Sequence, residues 1–79
     1  MERNEILERL NSVFRDVFGD DTITVTDSTT AADIEDWESL THMTLISAVE
    51  EEFDISFNMK DVVKMKNVGN MVDIIQKEI

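Results

Sequence analysis

An all-α four-helix bundle is the fold this sequence predicts, from three observations. Four segments carry Leu, Ile, Val, Met and Phe at three- and four-residue spacing, the period that gathers apolar side chains on one helix face. The chain has no proline and two glycines, so little interrupts those segments. The single strand-like alternation, Ile23-Thr24-Val25-Thr26, has no second segment to pair with and is read as extended loop.

The first helix is placed from about Glu2 to Phe18, because Ile6, Leu7, Leu10, Val13, Phe14, Val17 and Phe18 draw one apolar stripe. Gly19 should end it, as a left-handed residue past the last turn. The polar stretch from Asp20 to Glu38 is long for a connection in so small a domain, where loops beyond about 12–15 residues are uncommon. Ile23, Val25, Ile34 and Trp37 are its expected anchors on the helices.

Leu40, Met43, Ile46, Val49 and Phe53 place the second helix from about Ser39 to Phe53. The run Glu50-Glu51-Glu52 near its end opposes the helix dipole, at a cost of a few tenths of a kcal/mol per exposed charge. Such a run is either a solvated face or charge kept for recognition. Asn58 should cap a short third helix reaching about Lys64, and Asn67 a fourth carrying Val68, Met71, Val72, Ile75 and Ile79 on one face. The 79 residues suffice for one core, so residues 1–79 are expected to form one domain and to act as a monomer.

Composition removes several functions. An apolar share of 42% is that of a folded chain despite the high charge. The net charge is −11, and between Asp16 and Met59 there are twelve acids and no Lys or Arg. That surface repels phosphate backbones and anionic headgroups, which argues against nucleic acid and membrane as partners and favours proteins with basic patches. With no cysteine, disulfides, thiolate metal sites and a cysteine nucleophile are excluded, and any thiol chemistry needs an imported thiol. No stretch approaches the ~20 apolar residues of a membrane span and the first residues do not form a signal segment, so the cytoplasm is the expected location. The acids do not form a calcium loop, since neither Gly19 nor Gly69 has alternating acids before it and a closing glutamate after it.

Of five serines, Ser12 and Ser47 fall within helices, Ser28 in the loop and Ser56 in a turn. Ser39 alone stands where the long loop meets the second helix, where unpaired amides and the positive end of the dipole favour an attached phosphate. Taken by itself, such a serine reads first as a helix cap. His42 lies one turn further on. A Ser-His nucleophile is rejected, because neither an orienting acid nor an oxyanion site accompanies the pair, and a surface histidine is expected instead. No other catalytic constellation occurs, so the chain is not expected to be an enzyme. Met43, Met59, Met65 and Met71 are read as gap filling in the core, with a deformable apolar pocket as the alternative.

The segment Asp36-Trp37-Glu38-Ser39-Leu40-Thr41-His42-Met43, followed by Val49-Glu50-Glu51-Glu52-Phe53-Asp54-Ile55, resembles the acyl carrier protein family, whose attachment motif reads Asp-Ser-Leu. The resemblance spans nearly the whole chain, from the first helix and long loop through the motif to the short third and the fourth helix. It implies that a phosphopantetheinyl transferase attaches 4'-phosphopantetheine from coenzyme A to Ser39, and that the carrier presents acyl thioesters to acyl-loading and acyl-processing enzymes. The arm's thiol would answer the absence of cysteine. On the same resemblance Leu40, Met43 and Ser47, with Glu38, Glu50 and Glu51, map onto the face offered to partners. The alternative places Leu40 and Met43 in the core, and Met43 suits core and interface equally.

Three features depart from the commonest pattern of that family. Glu38 stands for Asp, which keeps the charge and lengthens its reach. Thr41, His42 and Thr44 replace acids common in carriers of primary fatty acid synthesis, and with Trp37 they point toward a specialised pathway. Asp54 replaces a frequent glycine and can adopt the left-handed conformation at modest cost. An aminoacyl or peptidyl carrier, and an unmodified acidic interaction domain of the same fold, are the alternative functions.

Overall fold

The computed structural model describes residues 1–79, and its elements follow the chain as α1 (Arg3–Phe18), α2 (Ser39–Phe53), α3 (Met59–Lys64) and α4 (Val68–Glu78), with one short 3-10 turn over Ala31–Asp33. There is no strand. Gly19 ends α1 in the left-handed region at φ 62°, its N–H bonding to the Arg15 carbonyl. Asp54 ends α2 in the same way at φ 53°. The Asn58 and Asn67 side chains accept from the backbone amides of Asp61 and Asn70, at 2.9 and 2.8 Å, and open α3 and α4 as their sequence positions suggested.

α1 packs against α2 and α4 around one core. Ile6, Leu10 and Phe14 of α1, Leu45 and Val49 of α2, and Val68, Met71, Val72 and Ile75 of α4 are fully buried there. Of the two readings of Leu40 and Met43 the structure has the exposed one, and the expectation that Ile79 lies on the buried face needs correction. Leu40 is 80% exposed and Met43 48%, while Leu45 is sealed in the core. At 3.6 residues per turn Leu40 is half a revolution from Val49, so the apolar residues of α2 form an inward row through Leu45, Ile46, Val49 and Phe53 and an outward one through Leu40 and Met43. Ile79 follows the last helical residue and is 48% exposed, off the buried face of α4.

The long loop is held by polar side chains as well as by its anchors. Val25 and Trp37 are buried, and Ile23 and Ile34 pack half-buried on the core. The Val25 amide donates to Asn11 Oδ1 at 2.7 Å, and Asn11 Nδ2 donates to the Val25 carbonyl at 3.3 Å. One carboxamide thus supplies the donor and acceptor that a neighbouring strand would have offered, which is why the extended segment needs no partner strand. Further along, the carbonyls of Thr29 and Asp27 accept from the first amides of α4, Val68 and Gly69, each at 2.8 Å. Arg3 closes this side, its guanidinium reaching Asp73 at 2.6 Å, Asp27 at 3.3 Å and the Gly69 carbonyl at 3.2 Å.

Candidate functional site

The site is the junction between the loop and α2, and the local chain path is set by two residues on either side of it. Trp37 is drawn into the core, where its ring meets Phe14 edge-on with centroids 5.2 Å apart. Thr41, one turn into α2, accepts a hydrogen bond from the Glu38 amide at 2.8 Å and donates one to the Asp36 carbonyl at 2.6 Å. Asp36 itself lies in the left-handed region at φ 72°. Glu38 is the capping residue and Ser39 the first residue of the helix, so Ser39 does not serve as the cap.

The Ser39 side chain is exposed, and no group of the chain hydrogen-bonds its hydroxyl. The first amide bond of the helix runs from His42 to the Glu38 carbonyl at 2.7 Å, leaving the amides of Ser39 and Leu40 ahead of it without helical acceptors. A free hydroxyl beside unpaired amides at the positive end of a helix suits a phosphodiester linkage.

His42 is half-buried and hydrogen-bonded, which corrects the expectation of a surface histidine. The buried Trp37 indole N–H needs an acceptor, and His42 Nδ1 provides it at 3.1 Å. Indole nitrogen can only donate, so Nδ1 carries the lone pair and the neutral ring its proton on Nε2. Burial pushes the His42 pKa below the ordinary 6.5, an effect the Val62 carbonyl opposes. Neither nitrogen is hydrogen-bonded to Ser39, so the geometry offers no Ser-His nucleophile.

Next to Ser39 a cavity of about 520 Å³ opens between the start of α2 and α3. Met43, Met59, Val62, Val63 and Met65 give it apolar walls, and Lys66 is its one basic lining residue. Three of the four internal methionines thus gather at the mouth of Ser39, whereas Met71 is sealed in the core. This departs from the reading of all four as gap filling. Such a cleft has the size and lining of a small-molecule site.

The outward row of α2 continues from the site. Leu40, Met43, Ser47 and Glu51 are exposed along it, with Glu38 exposed at its start. Glu50 is half-buried, and its carboxylate accepts from the Phe57 amide at 2.7 Å, fastening the turn before α3. Glu52 is bound by Arg9 at 2.7 Å, and the same guanidinium lies 4.7 Å from the centre of the Phe53 ring. Of the three consecutive glutamates, Glu51 has neither kind of engagement. The left-handed Asp36 and the Thr41 bonds that hold it carry no signature in a pattern of apolar spacing, and sequence reasoning missed them.

Residues 8–75 match the family model for the phosphopantetheine attachment site. The acyl carrier protein of Thermosynechococcus vestitus is 29% identical over 79 residues, covering 100% of this chain and 98% of that one. The solution structure of holo acyl carrier protein from Geobacter metallireducens superposes with a TM-score of 0.85 at 43% identity, covering 91% of this chain and 83% of that chain. A family model matched over most of the chain, the shared fold and the helix-opening serine beside an apolar cleft lead to one conclusion. The chain belongs to the acyl carrier protein family: it is a carrier and not an enzyme, bearing acyl groups as thioesters on covalent 4'-phosphopantetheine and serving a phosphopantetheinyl transferase and acyl-processing enzymes.

Proposed function

We propose that Ser39 is the residue that receives the 4'-phosphopantetheine. The observation that carries this is its exposed hydroxyl, unengaged by the chain, at the first position of α2 and at the mouth of the apolar cleft. With coenzyme A held by the transferase, the Ser39 oxygen attacks the β-phosphate, the new O–P bond replaces the pyrophosphate link, adenosine 3',5'-bisphosphate leaves, and the serine proton passes to a base of the transferase. The chain contributes the nucleophile and the surface on which the transferase seats.

That surface is the outward row of α2, Leu40, Met43 and Ser47, flanked by Glu38 and Glu51 and edged by Glu50. Its acids favour partners with basic patches, and steering between opposite charges gives fast, salt-sensitive, short-lived encounters. Residues 1–79 act as one monomeric domain in the cytoplasm, where coenzyme A and transferases are found. Thr41, His42 and Thr44 on the first turns of α2, with Trp37 before the motif, favour a specialised acyl or polyketide pathway over primary fatty acid synthesis.

Mass spectrometry after incubation with coenzyme A, magnesium and a phosphopantetheinyl transferase tests the assignment. Wild type should gain one arm and Ser39→Ala none. Wild type left unmodified by several transferases would instead favour an unmodified interaction domain.

A further inference from the structure

We propose that Thr41 is a positioning residue for modification of Ser39, its hydroxyl setting where the nucleophilic oxygen stands. The inference rests on the reading of Ser39 as the attachment residue. Ser39 is the first residue of α2, and a helix makes no amide bond back to its own body from that position. Its carbonyl end is held by the helix, and its amide end is set by the chain immediately before it, which leaves the buried Trp37 and turns into the helix across Glu38.

One hydroxyl brackets that turn. Thr41 Oγ1 donates to the Asp36 carbonyl at 2.6 Å on one side of Trp37 and accepts from the Glu38 amide at 2.8 Å on the other. Asp36 stands at φ 72°, a left-handed conformation open to Asp at modest cost, and the Thr41 bond to its carbonyl holds that turn in place. An unusual backbone held by a side-chain bond, three residues from the reacting oxygen, is the kind of local constraint that accumulates at functional sites. Valine at position 41 would have nearly the same shape but neither bond. The Asp36 turn would then sample other conformations, and Ser39 would lose its fixed approach to the transferase.

Leu40, Met43 and Ser47 of the outward face are placed by the helix itself and not by this bracket, which separates positioning from the apolar part of docking. Steady-state phosphopantetheinylation of wild type, Thr41→Val, Thr41→Ser and Ser39→Ala, with helix content and melting followed in parallel, tests it. Thr41→Val should lower kcat for transfer by about tenfold or more, since small misplacements of reacting groups carry costs of that order. Its KM for the carrier should stay within about twofold of wild type, because ground-state docking is untouched. Thr41→Ser keeps the hydroxyl and should restore kcat to within about threefold.

Wild-type kcat in a folded Thr41→Val protein overturns the inference, as does a loss confined to KM or a serine variant no better than valine. Should Thr41→Val melt too low to assay, the double variant Asp36→Gly/Thr41→Val takes its place, because glycine holds the left-handed turn without strain. Its kcat should remain depressed, since the Glu38 amide still lacks its acceptor, and wild-type kcat there again overturns the inference. An unmodified wild type, or an arm gained by Ser39→Ala, would refute the attachment assignment instead.

Discussion

The Trp37 indole nitrogen donates to His42 Nδ1 across 3.1 Å, joining a core residue of the loop to a residue of the cleft wall. Protonation of that nitrogen would set two N–H groups against each other. The folded protein therefore binds the His42 proton less readily than the unfolded chain does, in keeping with a pKa pushed below 6.5 by burial. Stability from this source is fully present above pH 6.5 and is lost as pH falls through the lower, folded value. Glu38 and Lys66 are the other ionisable residues lining the same cleft. Urea titrations between pH 7.5 and 5.5, followed by the single tryptophan, should show wild type losing more stability than His42→Gln, whose amide oxygen can still accept from the indole. Parallel losses in the two proteins would remove His42 as the cause.

The cleft predicts a dependence on cargo. A saturated acyl chain of medium length that lies between Met43, Met59 and Val62 binds the folded state alone and should raise the melting temperature above that of the holo protein. Val62→Asp should abolish most of that increase, by placing a charge in the apolar wall. Unchanged melting on loading would show that the chain stays in solvent.

The two rows of α2 predict opposite phenotypes for the same substitution. Leu45→Ala empties a fully buried position and should cost about 2–5 kcal/mol in denaturant unfolding. Leu40→Ala, on an 80% exposed side chain, should change stability by less than about 0.5 kcal/mol. In transfer assays Leu40→Ala should raise KM, and Glu51→Lys should flatten the dependence of the rate on salt.

Gly69 predicts a backbone conflict. A Cβ there would stand 2.8 Å from the Asp27 carbonyl oxygen that its own amide bonds. Gly69→Ala should therefore push the loop from the start of α4 and destabilise the fold by about 1–3 kcal/mol, measured by thermal or urea unfolding.

Much of this architecture was legible because it follows from periodicity and end signals. Gly19, Asp54, Asn58 and Asn67 mark helix ends through conformations and hydrogen bonds that belong to their own side chains or to their lack of one. The position of Ser39 at the opening of α2 came from the same reasoning. The sidedness of α2 was harder, since a helix with apolar residues on both faces carries two rows, and spacing alone does not say which faces inward. Longer-range polar matches were not legible at all. Asn11 with Val25, Arg3 with Asp27 and Asp73, and Trp37 with His42 depend on how segments meet in space, and no residue in those pairs announces its partner.

α3 contributes no fully buried side chain, and inside it the Asp61 Oδ2 atom is shut away from water without a hydrogen bond, 3.9 Å from Lys77 Nζ. The element closing one side of the cleft is consequently the one whose departure disturbs least. A segment anchored this lightly would tilt at smaller cost than α1, α2 or α4, whose side chains make up the sealed interior.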